Sequence, residues 1–172
     1  MNIEETGKIY LGKELNEETA EYIIRSLLVF NDNKKSLNNI KFYINCEGGD
    51  LHHAFGIIDL MNSIDVPVHT YSIGTVCSAG LYIFMSGMKG YRYTFENTLF
   101  MSHQWYTWFE GKEHELSSFH RANKVSSKQV LDLYTKCTGL TTRKLRSKLL
   151  GPTDYYFGAE EAIEHGFADL II

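Results

Sequence analysis

Short apolar runs alternate with stretches of helical period along most of this 172-residue chain, and few folds accept that pattern. Ile9, Tyr10 and Leu11 read as a strand closed by Gly12. Asn16 can cap a helix with Glu17 and Glu18 in its first turn and Ala20, Ile23, Ile24, Leu27 and Leu28 on its apolar face. After a polar loop at 31–36, residues 40–45 are short, apolar and aromatic-rich, as a buried strand is. Glu47, Gly48 and Gly49 break it, and Ala54, Ile57, Ile58 and Met61 mark a second helix. Residues 66–73 read as a strand, a helix starts at Ser78, and 91–101 read as further strand. Leu116, Phe119, Asn123, Val130, Leu133 and Cys137 recur near helical spacing, so 116–137 read as one long helix stopped by Gly139. Thr141 or Thr142 caps a shorter helix ended by Gly151 and Pro152, Gly158 precedes a last helix stopped by Gly166, and 167–172 end as a strand.

Strands alternating with helices build parallel βαβ units with right-handed crossovers. The reading is an α/β fold in one domain over residues 1–172. Active groups in such folds gather at the carboxyl ends of strands. Both the Gly48-Gly49 pair and Ser78 fall just past such ends.

Composition narrows the partners. Hydrophobic residues make up 44% of the chain, enough for a core, and two prolines without a long polar tract argue against disorder. The net charge is −4 with Lys and Arg scattered, which disfavours nucleic acid. The polar start gives no secretory signal, and no apolar run is long enough to span a bilayer. Cys46, Cys77 and Cys137 show no C-x-x-C spacing and fit reduced thiols in a cytoplasmic compartment. The His and acidic residues show no metal-ligand spacing, and the glycines match no nucleotide-binding pattern.

Ser78 stands out because a hydroxyl at a strand-to-helix corner is exposed by the sharp turn and sits at a helix N-terminus. The α/β-hydrolase elbow is not matched, since Val76 stands at its first glycine. Serine needs a base. His103 is best placed of the seven histidines, and from the residues alone it reads equally as a hydrogen-bonded strand-end histidine. His52 and His53 follow the Gly-Gly turn and could enter the same cleft, one packed and one solvated. His114 and His120 read as surface positions, His69 as a strand residue and His165 as a helix end. Asp154 could orient the imidazole, shielded by Tyr155, Tyr156 and Phe157; an Asx turn or helix cap explains it as well. Asp50, Asp59, Asp65 and Asp169 are its rivals, Asp50 as a helix cap. Gly48 and Gly49 can offer backbone N–H groups to an oxyanion, with the Ala79 N–H as second donor, although a Gly-Gly pair by itself is simply a tight turn. Cys77 reads as a small buried side chain.

Five segments in order carry a resemblance: 43–49 (YINCEGG), 74–80 (GTVCSAG), 87–92 (GMKGYR), 101–104 (MSHQ) and 157–162 (FGAEEA), the last continuing as EHGFAD at 164–169. Together they resemble the ClpP family of serine peptidases over about residues 9–172. The resemblance implies a ClpP/crotonase-like fold with a handle region at about 103–138. It implies nucleophile Ser78, base His103, orienting acid Asp154 and oxyanion donors Gly49 and Ala79. The expected function is a serine endopeptidase cleaving peptides and unfolded proteins inside heptameric rings stacked as a tetradecamer. The chain itself would use no cofactor and no metal, ATP being consumed by a separate AAA+ unfoldase.

Departures from the family pattern fall around the cleft. Cys46 and Glu47 replace its Ser-Pro, Ala79 its Met, and Trp105 the proline after His-Gln. Tyr106, Thr107, Trp108 and Phe109 replace a glycine-rich strand. The expected substrate cleft of Gly48, Trp105, Tyr106, Thr107 and Trp108 should therefore be narrower, with altered side-chain preference. Thr153 stands where an Arg of a ring-contact latch is usual, Lys41 where an aromatic of the unfoldase groove is usual, and the segment before Ile9 is short. A noncatalytic ring subunit is the alternative reading, and a crotonase-type acyl-CoA enzyme a third.

Overall fold

The computed structural model describes residues 6–34 and 36–172. Residues 1–5 and 35, in the polar start and polar loop, lie outside the described residues. Strands β1 (Lys8–Leu11), β2 (Ile40–Cys46), β3 (Val68–Cys77), β4 (Arg92–Thr94) and β7 (Leu170–Ile171) lie parallel in the order β1-β2-β3-β4-β7. β5 (Leu99–Ser102) joins β3 in parallel, and β6 (Tyr155–Phe157) adds to β5 antiparallel. The helices are α1 (Glu17–Asp32), α2 (Leu51–Ser63), α3 (Ser78–Met85), α4 (Glu113–Thr138), α5 (Thr142–Lys144), which continues as a π-helical turn over Leu145–Leu149, and α6 (Ala159–Glu164). This is the mixed α/β architecture with a parallel sheet and one long helix that the pattern predicts. Asn16 caps α1 through a reciprocal pair of bonds with Thr19, and Asp50 caps α2 by accepting from His52 and His53 N–H.

The stretch at 91–101 differs from its sequence reading: it is two strands. Thr70, Tyr71 and Ser72 of β3 pair with β4, whereas Thr75, Val76 and Cys77 pair with β5. A turn closed by the Thr98 N–H on Phe95 O at 3.1 Å carries the chain from one half of β3 to the other. Buried hydroxyls hold this fork: Ser72 donates to Thr94 Oγ1 at 2.8 Å, and Thr98 donates to Ser72 O at 3.2 Å. β3 also runs farther than its sequence reading, through Gly74 to Cys77. It bulges there against β2, because Ile44 pairs with Ser72 but Cys46 with Val76. Gly74 takes φ 63° in the bulge, and Asn45 Oδ1 accepts the Thr75 N–H at 3.0 Å.

The sheet's inner face packs on one continuous apolar core, in which Phe100 lies between Phe84 and Phe157 at 5.5 and 5.3 Å. Tyr43, Tyr71 and Tyr93 stack in register across β2, β3 and β4 at 4.7 and 4.8 Å. Lys41 is exposed on β2. α4 spans its predicted range with a turn more at its start, roughly 39 Å of rod. Its buried residues, Ser126, Val130, Leu133 and Tyr134, all belong to its second half. The last strand is shorter than expected, only Leu170–Ile171, because Asp169 turns to Arg92. The two side chains bond at 2.5 and 2.8 Å, and Asp169 also accepts from the Gly90 N–H. No helix among the described residues is long and apolar enough to cross a membrane.

Candidate active site

Strand register brings distant residues together. Cys77 pairs with Met101, so Ser78 and His103 emerge side by side at the carboxyl ends of β3 and β5. Cys46 pairs with Val76, which puts the Gly48-Gly49 turn against Ser78. Ser102 pairs with Tyr155, which puts Asp154 beside His103.

Ser78 is the only non-glycine residue at positive φ among the described residues, at 51°. A left-handed residue costs about 1–2 kcal/mol. Here it forces the chain from β3 into α3 in one step and presents the hydroxyl. His103 Nε2 lies 2.8 Å from Ser78 Oγ. Gly48 and Gly49, at φ 122° and 139°, close the other side. A Cβ on Gly48 would stand 2.7 Å from Ser78 Cβ and 3.3 Å from Ala79 N, so only glycine admits this approach. The turn is pinned by the Leu15 N–H on Gly48 O at 2.8 Å and the Asp50 N–H on Leu15 O at 2.9 Å. The Cys46 thiol lies 3.3 Å from Gly48 N and 3.4 Å from Gly48 O. The N–H groups of Gly49 and Ala79 enter no hydrogen bond among the described residues.

Asp154 faces His103 with Oδ1 3.9 Å from Nδ1, too far for a hydrogen bond. It is not shielded as its aromatic neighbours suggest: its side chain is 53% exposed, against 23% for His103. Tyr155 and Tyr156 alternate along β6, Tyr155 bonding Glu161 and Tyr156 facing solvent. The rival carboxylates have other partners or places. Asp50 caps α2, Asp65 pairs with Lys34, Asp169 pairs with Arg92, and Asp59 lines a separate cavity beneath α2. Burial pushes the Cys77 thiol up to about 11, which makes it a poor nucleophile beside Ser78.

Two residues flanking His103 tie it to the acid's segment. Ser102 Oγ donates to Leu149 O at 2.6 Å, and Gln104 Nε2 donates to Leu150 O at 2.9 Å. A serine hydroxyl has one proton, so the buried Tyr134 phenol donates to Ser102 Oγ at 2.7 Å. Sequence reasoning did not single out this relay. The inward alternation of Ser102 with Phe100, and Tyr134 on the core face of α4, were the available signals.

A cavity of about 450 Å³ opens at the site and includes Gly49, Ser78, Ala79, His103, Trp105, Tyr106 and Thr107 among its walls. Gly48 lines the adjoining groove, and Trp108 is 69% exposed and outside the cavity wall. Residues 103–112 form no strand. Trp105 instead donates its indole N–H to Asn123 Oδ1 at 2.9 Å, and Phe109 packs on Phe119 of α4 at 4.7 Å. Of the paired histidines, His52 is exposed at the cavity rim and His53 half-buried. Among the described residues no group of three or more His, Cys, Asp or Glu could hold a metal ion.

A strained serine against an imidazole, at the carboxyl ends of a parallel sheet, marks this as an α/β protein with a serine–histidine site. The chain belongs to the Clp protease family, whose pattern it matches over residues 2–172. It is similar to the ATP-dependent Clp protease proteolytic subunit of Deinococcus radiodurans, 32% identical over 171 residues, 95% of this chain and 79% of that protein. It is also similar to ATP-dependent Clp protease proteolytic subunit 1 of Prochlorococcus marinus subsp. pastoris, 28% identical over 170 residues, 95% of this chain and 82% of that protein.

Proposed function

We propose that the chain is a serine-type endopeptidase subunit that cleaves peptides and unfolded proteins. The observation that carries this reading is the 2.8 Å contact between Ser78 Oγ and His103 Nε2. Ser78 Oγ attacks the scissile carbonyl while His103 takes its proton. The tetrahedral oxyanion is met by the unpartnered Gly49 and Ala79 N–H groups. His103 then returns the proton to the leaving amine, and water releases the acyl group by the same route in reverse. Asp154 steadies the imidazolium across 3.9 Å. The chemistry needs no cofactor.

Family membership and the relatives' naming as subunits of an ATP-dependent protease support an assembled, ATP-dependent setting. The chain works in heptameric rings stacked as a tetradecamer, and an AAA+ unfoldase spends the ATP. Its free cysteines suit a cytoplasmic location.

The test pairs peptide hydrolysis with labelling by a fluorophosphonate, which reacts only with an activated serine. Ser78→Ala is expected to lower turnover by at least ~10³-fold and abolish labelling, with the assembled mass unchanged. Unaltered turnover in that variant overturns the assignment. An unlabelled, inactive but assembled wild type favours a noncatalytic ring subunit.

A further inference from the structure

His103 lies beyond both ladders of β5, whose last pairs are Met101 with Cys77 and Ser102 with Tyr155. The chain that follows it forms no strand. A serine site ordinarily fixes its imidazole with a hydrogen-bonded carboxylate. Here Asp154 Oδ1 stands 3.9 Å from Nδ1 and half in solvent, so the acid does not hold the ring. Other groups must keep Nε2 at 2.8 Å from Ser78 Oγ.

The side chains on either side of His103 are the available anchors. Gln104 is exposed, so water competes for the bond its amide makes to Leu150 O. Ser102 is buried, and its 2.6 Å bond to Leu149 O has no such competitor. That bond uses the only proton Ser102 Oγ has, and the Tyr134 phenol donates to the same oxygen at 2.7 Å. Tyr134 is fully buried. Burial pushes its phenol well above its ordinary value, so it stays protonated and donating. Its ring is wedged as well: Tyr82 and Phe167 stand edge-on to it, with centroids 5.6 and 5.7 Å away. Tyr82 lies one turn after Ser78 on α3. Tyr134 thus packs on the helix that carries the hydroxyl and bonds the strand that carries the imidazole.

We propose that Tyr134 is a positioning residue for the peptidase reaction: its phenol locks Ser102 in place and so holds His103 against Ser78, the task a hydrogen-bonded acid would otherwise perform. This rests on the peptidase reading above. Without the phenol proton, Ser102 Oγ is free to turn from Leu149 O, and the backbone entering His103 gains slack. Neither Tyr134 nor Ser102 lines the cavity at the site, so substrate binding is untouched. The loss falls on the near-attack geometry and therefore on kcat.

The experiment uses assembled wild type, Tyr134→Phe, Ser102→Ala, Ser102→Thr and the double variant of Tyr134→Phe with Ser102→Ala. Fluorophosphonate labelling run to completion counts competent sites, and kcat for a fluorogenic peptide is expressed per labelled site. Tyr134→Phe is expected to label fully but to lose about 10-fold in kcat per labelled site, the worth of one buried hydrogen bond, with KM unchanged. Ser102→Ala should lose at least as much, and the double variant no more than Ser102→Ala alone, because both act through one contact. Ser102→Thr keeps the hydroxyl and should stay near wild type. A merely structural role would lower Tm and the number of labelled sites and leave kcat per labelled site unchanged. That result, or losses that multiply in the double variant, overturns the inference and leaves the peptidase reading standing. If Tyr134→Phe does not assemble, Ser102→Ala against Ser102→Thr decides, and equal kcat per labelled site overturns the inference. A wild type that neither labels nor cleaves overturns both.

Discussion

Replacing Asp154 by Asn isolates what a carboxylate does for an imidazole it faces but does not touch. The charge in question is 3.9 Å from Nδ1, and its side chain is 53% exposed. Two unit charges at that separation interact by about 1 kcal/mol in a water-like dielectric and about 4 kcal/mol near a protein surface. Half-exposure and salt screening push the value to the lower end, about 1–2 kcal/mol. Since 1.36 kcal/mol is tenfold in rate, Asp154→Asn should lower kcat by roughly 5- to 30-fold. KM should hardly move, because the imidazolium exists only after proton transfer. A buried acid hydrogen-bonded to the imidazole, by contrast, is worth ~10⁴-fold. The assay is initial-rate hydrolysis of a fluorogenic peptide by assembled protein at neutral pH, at low and high salt. Added salt should shrink the gap between wild type and variant. A fall near 10⁴-fold would refute the argument, since it requires direct hydrogen bonding in the working enzyme. An unchanged rate would remove Asp154 from the mechanism altogether.

Gly48→Ala should abolish peptide hydrolysis, because its Cβ would press within 2.7 Å of Ser78 Cβ at a φ of 122°; retained fluorophosphonate labelling at the wild-type rate would contradict this. Asp169→Asn breaks the pair with Arg92, whose side chain is 4% exposed, and should destabilise the fold by about 3 kcal/mol in urea unfolding. Burial pushes the Asp169 carboxyl up, but hydrogen bonds from the Arg92 side chain and backbone and from Gly90 hold it below its ordinary value overall. A depressed carboxylate stabilises above its unfolded pKa and loses that contribution as pH falls through the folded one. The gap between wild type and Asp169→Asn should therefore be full at neutral pH and close in acid, and a pH-independent gap would count against it.

The βαβ order was legible because its signals are local. Asn16 and Asp50 caps, the face containing Ile23 and Leu27, and the stop at Gly139 each follow from nearby residues. The fork of β3 was not legible, since Glu96 and Asn97 lie inside an otherwise strand-like run and only pairing with both halves of β3 divides it. The juxtaposition of Ser78 and His103 came from the family resemblance and depends on register, which period-two alternation cannot supply. The exposure of Asp154 ran against its sequence context, because Tyr155 and Tyr156 alternate along a strand instead of folding over it.

The backbone at position 78 carries a conformational cost. Glycine there would relieve the left-handed strain at φ 51° by about 1 kcal/mol and still build the same corner for β3 and α3. A corner serving architecture alone would be more stable with glycine. Under the peptidase reading proposed above, the strain is the cost of carrying the hydroxyl there.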